Sequence, residues 1–185
     1  DKAAQIVKSM RNYARSGTVT RQPIDLKQPI YEAISLMNAQ LLNHNIILNM
    51  LIENHVPPVV MDPLCFEQIV VNLIANARYA VDKKGEQGRD SSWKKEIKTV
   101  LYFRENDNSV VFQVSDNGIG MSSDVLSHCR ELFFTTKPEN EGTGLGVAVI
   151  ERLISDFGGK MSITSFSGEG TTFTLSFPSA SETKE

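Results

Sequence analysis

Asp62-Pro63-Leu64-Cys65-Phe66-Glu67-Gln68-Ile69-Val70-Val71-Asn72-Leu73-Ile74-Ala75-Asn76-Ala77 is the stretch on which the reading turns. Asp followed by Pro is a helix start: a side-chain cap, then a residue whose missing N–H is not needed in a first turn. Phe66, Ile69, Val70, Leu73, Ile74, Ala77 and then Val81 recur at helical spacing and form one apolar stripe. Asn72 and Asn76 lie four apart, so they share a row beside that stripe. An amphipathic helix carrying polar amides at the margin of its buried face must pack on another layer.

That layer is read downstream. Residues 97–103 and 110–115 suit two strands joined by a turn at Glu105-Asn106-Asp107-Asn108. The second strand runs directly into Asp116-Asn117-Gly118-Ile119-Gly120-Met121. Residues 161–166 and 171–177 form a further alternating pair around Ser167-Gly168-Glu169-Gly170, a hairpin. Between the pairs, 121–141 is polar and irregular, with a short helix around 125–129. Gly142-Thr143-Gly144-Leu145-Gly146 then opens a helix whose Leu145, Val149, Leu153, Ile154 and Phe157 face a core, and Gly158-Gly159 ends it.

Upstream, Asp25 and Gln28 stand at capping-box spacing before a helix with Ile30, Ala33, Ile34, Met37 and Leu41 on one side. Residues 46–52 suit a strand, and Pro57-Pro58 mark a loop. The polar segment 83–95 reads as a flexible loop containing Trp93. Ala3, Ile6, Val7, Met10, Tyr13 and Ala14 give one more helical stripe, ended at Ser16-Gly17. The resulting division is a terminal helix over 1–17, a linker over 18–25, a domain over 26–178 and a polar tail over 179–185. The element order predicts an α+β fold: a two-layer α/β sandwich, with helices on one face of a mixed, mostly antiparallel sheet.

Composition narrows the function classes. The chain has 185 residues, 41% hydrophobic, enough for one ordinary domain with a real core. A formal charge of -3 with no basic block argues against a nucleic-acid surface. Cys65 and Cys129 are too few and too far apart for a disulfide framework or a zinc site. No apolar run is long enough to span a bilayer, so no membrane contact by this domain and a cytoplasmic location are expected, with any anchor elsewhere in a longer protein.

Four constellations carry chemistry. Asn72 and Asn76 offer neutral amide oxygens, hard ligands suited to Mg2+ bound together with phosphate oxygens; alone, the pair also fits a solvated helix face. Asp116, at a strand end before two glycines, offers a carboxylate to an exocyclic amine such as that of adenine. D-N-G is equally turn chemistry. Gly142-Thr143-Gly144-Leu145-Gly146 sits at a helix start, where free N–H groups and the helix dipole favour phosphate. It lacks the Lys-Ser/Thr of a Walker loop, and no strand leads into it as in a dinucleotide fingerprint. Leu132-Phe133-Phe134-Thr135-Thr136-Lys137 pairs two aromatic anchors with a cation that can reach a phosphate.

In this order the four resemble the N, G1, F and G2 boxes of the catalytic and ATP-binding domain of sensor histidine kinases. That domain is part of the GHKL (Bergerat-fold) ATPase superfamily, with gyrase, a mismatch-repair protein and a chaperone ATPase. The resemblance covers roughly residues 26–178. It implies ATP held between the helical layer and a mobile lid. Asp116 would bind the adenine amine, Asn76 would ligate Mg2+ beside Asn72, and Lys137 would approach the phosphates. Gly142, Thr143, Gly144, Leu145 and Gly146 would cradle the triphosphate. Gly118, Gly120 and Thr171 would line the adenine end.

Many members carry a basic residue three past the magnesium asparagine. Here Tyr79 stands there and Arg78 precedes it, and both enter the candidate ATP set. The terminal helix resembles the end of a dimerisation and phosphoacceptor hairpin. Its phosphoacceptor histidine is absent, since His44, His55 and His128 lack the family context, so no residue of this chain is assigned as catalytic.

The implied activity is donation of the ATP γ-phosphate to a histidine on that hairpin. The implied partners are the hairpin itself, a response regulator downstream, and a second copy only in the full-length protein. An ATP-hydrolysing switch or a serine kinase of the same superfamily is the alternative. Switches use a glutamate four residues before the magnesium asparagine, where this chain has Asn72.

Overall fold

A computed structural model describes residues 20–88, 92–138 and 142–180. The helix read over 1–17 and the end of the tail, 181–185, lie outside the described residues.

The elements follow in the order β1 (Gln22–Ile24), α1 (Lys27–Asn43), β2 (Ile46–Ile52), β3 (Val59–Met61), α2 (Pro63–Glu86), β4 (Lys95–Arg104), β5 (Ser109–Asp116), α3 (Ser123–His128), α4 (Gly146–Asp156), β6 (Lys160–Phe166) and β7 (Gly170–Pro178). Five strands make one sheet in the order β2-β4-β5-β7-β6. Only the β2–β4 pair is parallel; the others are antiparallel. The sheet is therefore mixed and mostly antiparallel, as the sequence pattern requires.

α2 forms because Asp62 caps it: its Oδ1 accepts the amides of Leu64 and Cys65 at 2.9 and 3.2 Å. Its stripe is fully buried from Phe66 to Val81 and lies on the sheet. Phe66 meets Phe112 of β5 and Phe177 of β7 edge to face, at ring-centroid distances of 5.6 and 5.9 Å. Truncating Phe66 would remove about 3–5 kcal/mol by the usual cost of such a cavity. At the far end of α4, Gly158 takes φ 72°, and the Gly158 and Gly159 amides cap the carbonyls of Ser155 and Ile154.

Several boundaries differ from the sequence reading. The stretch 18–25, read as a linker, contains β1, which pairs antiparallel with β3. Arg21 also donates to the Asp156 carbonyl at 2.8 Å, at the end of α4. β3 itself was not read, because three residues after Pro57-Pro58 are too short to show a period of two. The start of the tail is tied down: Ser179 donates to Asn108, and Ala180 to Pro58 at 2.7 Å.

Asp25 caps α1 from one residue further out, accepting the Lys27 amide at 2.9 Å, while Gln28 bonds Glu32 instead of closing a capping box. The largest difference is at 83–95. α2 continues through Glu86, Lys84 is buried, and Trp93 packs against the core. Two lysines and a glycine read as solvent-facing, yet the helix carries Lys84 under the 116–121 turn.

Candidate functional site

The row beside the α2 stripe faces a cavity of about 410 Å3. Asn72, Asn76, Tyr79 and Ala80 recur there at one-turn spacing and form its floor. From the opposite wall, the Lys137 ammonium donates to Asn76 Oδ1 at 3.0 Å and lies 4.6 Å from the centroid of the Tyr79 ring. The Asn76 amide thus presents its oxygen, not its nitrogen, to a cation inside the cavity.

One end of the cavity is built by the turn after β5. Asp116 Oδ1 accepts the Gly118 amide at 2.8 Å, and the Thr171 amide bonds the same carboxylate. Burial pushes this carboxyl up from 3.8 to about 6, against the downward pull of the two amides and the Lys84 charge. The turn is fastened on every side. Asn117 accepts the Glu96 amide at 3.0 Å and donates to the Lys94 carbonyl at 2.8 Å.

Ile119 donates to the Ala80 carbonyl of α2 at 3.1 Å and accepts from the Gly168 amide at 2.6 Å. The Met121 amide donates to Ser165 Oγ at 2.8 Å, and buried Ser165 joins the Gly170 carbonyl and the Thr171 hydroxyl. Gly120 is required here: its φ is 63°, and an added Cβ would stand 1.9 Å from the Phe166 carbonyl oxygen.

The other end is built by residues 129–138 and 142–147. Thr135 Oγ1 accepts the Lys137 amide at 3.1 Å, and the Phe133 amide donates to the Gly144 carbonyl at 2.9 Å. Thr143 Oγ1 accepts the Leu145 amide at 3.4 Å just before α4 begins. No side chain caps α4. Gly146 and Val147 of its first turn line the cavity, so this wall is a helix N-terminus with amides to offer an anion.

The candidate residues divide cleanly. Asn72, Asn76, Tyr79, Asp116, Gly120, Lys137, Gly142, Thr143, Gly144, Gly146 and Thr171 line the one cavity, though they come from five separate segments. Arg78, Gly118 and Leu145 do not. Arg78 lies a third of a turn from Tyr79 and points to the other flank of α2, 3.3 Å from His44 Nε2 and 3.6 Å from Asp82. Gly118 packs the turn on α2, where a Cβ would come within 2.5 Å of the Ala80 carbonyl carbon. Leu145 is buried at 6% exposure and plugs the base of the loop.

Sequence reasoning missed the apolar walls, Ile119, Met121, Val125, Cys129 and Phe173 among them. The alternation of β7 could have flagged Phe173. Nothing local marks Cys129, whose thiol burial pushes above its ordinary range.

A mixed sheet backed by helices, with a cavity of this size walled by paired asparagines, a strand-end carboxylate and a glycine-rich helix start, defines a class: nucleotide-binding α/β-sandwich domains. Residues 61–181 match the family model described as "Histidine kinase-, DNA gyrase B-, and HSP90-like ATPase", and the chain belongs to that family. It is 33% identical over its whole length to the sensor kinase CckA of Brucella abortus, of which it spans 20%. It is 28% identical over 96% of its length to the sensor histidine kinase ZraS of Escherichia coli, of which it spans 35%. The chain therefore covers about a third or less of these curated relatives.

Among solved structures, full-length ShkA in complex with AMPPNP superposes with a TM-score of 0.77 at 22% identity, over 96% of this chain and 36% of that one. The catalytic domain of histidine kinase ThkA gives 0.71 at 23%, over 86% of this chain and 96% of that one. ThkA in complex with the response regulator TrrA gives 0.73 at 22%, over 99% of this chain and 49% of that one. These likenesses establish the fold.

Proposed function

We propose that this chain binds ATP with Mg2+ in the cavity between α2 and residues 129–138 and 142–147, and donates the γ-phosphoryl group to a histidine of a sensor histidine kinase. The observation that carries this is the convergence of Asn72, Asn76, Asp116, Lys137 and the Gly142–Gly146 loop on one cavity of about 410 Å3. The AMPPNP complex of ShkA and the TrrA complex of ThkA support ATP as the donor and a response regulator as the later acceptor.

Asp116 accepts the adenine amine, and Thr171 supports it from β7. The amides of 142–147 and the Lys137 ammonium neutralise the phosphates. The donor set fits a divalent ion: Asn76 already turns its oxygen to a cation, and a neutral amide oxygen is a hard ligand. When bound, Mg2+ would supply charge neutralisation on the phosphate oxygens. The chain's own residues align the donor and exclude water; phosphoryl transfer asks little covalent chemistry of them.

Hydrolysis by this chain is disfavoured. Among the described lining residues the only carboxylate is Asp116, already held by the Gly118 and Thr171 amides, and Glu67 does not reach the cavity. Calorimetry with a non-hydrolysable ATP analogue, with and without Mg2+, tests binding. Incubation with γ-labelled ATP and a histidine-bearing helical hairpin in trans tests transfer. Label on the hairpin with little phosphate release supports the proposal. Steady hydrolysis by the chain alone would favour the ATPase-switch reading.

A further inference from the structure

Lys84 is the one cation buried among the described residues, at 6% exposure. Its Nζ donates to the Asn117 carbonyl at 2.6 Å and lies 5.3 Å from the centroid of the Trp93 ring. It does not line the cavity. A buried ammonium costs several kcal/mol unless charge or hydrogen bonds compensate it. Packing alone would be met by Met or Leu. The position of its partner suggests why a cation stands there: Asn117 immediately follows Asp116, whose carboxylate feels the Lys84 charge.

Resting on the reading of Asp116 as the adenine acceptor, we propose that Lys84 is a positioning residue that sets the adenine selectivity of the cavity from behind. It ties down the turn that follows Asp116 through the Asn117 carbonyl, and its positive charge favours the ionised carboxylate. Among the described residues no other charge acts on Asp116. β4 presents Ile97 in register with it, and β7 presents Thr171, whose contribution is its amide.

The chemical consequence is specific. An ionised carboxylate accepts from the exocyclic amine of adenine in a charge-assisted hydrogen bond. A protonated carboxyl offers a donor instead, which suits the carbonyl oxygen that inosine carries at the same ring position. Selectivity for ATP over ITP therefore reports the ionisation of Asp116, and the titration of the triphosphate itself cancels in the ratio. Burial drives the carboxyl towards neutrality, and Lys84 opposes it.

The test is calorimetric affinity for ATP and ITP from pH 5.5 to 8, below the ionisation of the inosine ring, on the wild-type chain, Lys84→Gln and Lys84→Arg, each first shown folded by thermal unfolding. Gln can still donate to the Asn117 carbonyl but carries no charge. The wild-type ratio should fall as pH drops through about 6. In Lys84→Gln the midpoint should move up, the direction expected when an opposite charge is removed, with selectivity recovered at pH 8. Lys84→Arg should keep the wild-type midpoint.

A Lys84→Gln ratio that equals wild type at every pH would overturn the inference. So would one reduced equally at every pH, which is what a purely structural role predicts. Should Lys84→Gln not fold, Lys84→Met decides: an unshifted midpoint refutes, a raised one supports. A wild-type chain indifferent to the base would instead remove the Asp116 reading itself, and this inference with it.

Discussion

The two ends of the cavity are made differently. At the Asp116 end, the turn is sewn to α2 through Ala80, to β4 and the residue before it through both polar atoms of the Asn117 side chain, and to the β6–β7 hairpin through Gly168 and Ser165. At the Lys137 end, residues 131–138 bond mainly within their own segment and to residues 142–144, while Arg130 pairs with Glu151 of α4 at 2.8 Å and donates to the Met161 carbonyl of β6 at 3.4 Å. Leu132 and Phe133 are 62% and 63% exposed, Phe133 is left-handed at φ 67°, and one lysine reaches across to Asn76. The wall at the first end is part of the fold. At the second it rests on a segment whose loss would leave the sheet and α2 intact, the low-stability kind from which binding lids are drawn.

The strongest way to break that contrast is to put the same defect at both ends. Gly120 and Gly144 have nearly equal φ, 63° and 67°, and an added Cβ would collide with backbone at each, 1.9 Å from Phe166 O and 2.3 Å from Phe133 C. Gly120→Ala should lower unfolding free energy by about 3 kcal/mol, because backbone on both sides is fixed. Gly144→Ala should lower it by less than about 1 kcal/mol, because residues 132–134 can yield. Chemical denaturation compares them directly, and equal losses would mean that the lid is as integral as the turn.

Asp116→Asn comes next. If Asp116 accepts the adenine amine as proposed, function and stability pull in opposite directions there. A carboxyl raised from 3.8 to about 6 in the folded state is disfavoured as an anion. Its contribution to stability is full below the unfolded value near 4 and is lost as pH rises through about 6. The span corresponds to about 3 kcal/mol. Asn does not titrate, so the stability of Asp116→Asn relative to wild type should rise by up to that amount between pH 4 and pH 8. ATP affinity at pH 8 should fall roughly 10- to 100-fold, the worth of a hydrogen bond to a charged acceptor. A flat stability difference across pH would place the carboxylate in water and not under the turn.

The same contrast explains what could be read from residues alone. The α2 stripe, the Asp62-Pro63 start and both hairpins follow from local periodicity and capping, which persist into the fold. The polar residues that line the cavity are legible because helix spacing and glycine-rich turns constrain them locally. Arg78 was misplaced since one residue on a helix is a rotation of about 100°, enough to carry its guanidinium to His44 and Asp82. Lys84 and Trp93 read as loop because the burial of Lys84 depends on the 116–121 turn, some thirty residues on, which accepts its ammonium, and Trp93 packs beside that ammonium. The apolar wall from Val125, Cys129 and Phe173 is likewise a tertiary product.

At the lid end, Lys137→Ala sharpens the comparison. The lysine makes the hydrogen bond that spans the cavity to Asn76, and it is partly exposed, so stability should change by less than about 0.5 kcal/mol. If that ammonium meets the phosphates, ATP affinity should fall about tenfold, in line with one charge-assisted bond. AMP, which lacks the outer phosphates, should bind the variant and wild type equally. An equal loss for AMP would mean that Lys137 acts by holding Asn76 and Tyr79 in place.

Phe133 gives the smallest effect. A bulky residue at φ 67° is strained by about 1 kcal/mol, and its ring is largely in solvent, so little packing offsets the strain. Asn tolerates the left-handed region without the added unfolded-state freedom of Gly. Phe133→Asn should therefore raise stability by about 0.5 kcal/mol, while the Phe133 amide keeps its bond to the Gly144 carbonyl. The same exchange at a buried aromatic such as Phe66 would be ruinous. A loss of more than about 1 kcal/mol on Phe133→Asn would show that the ring is packed within the lid in solution, and the two ends of the cavity would then differ less than their hydrogen bonds imply.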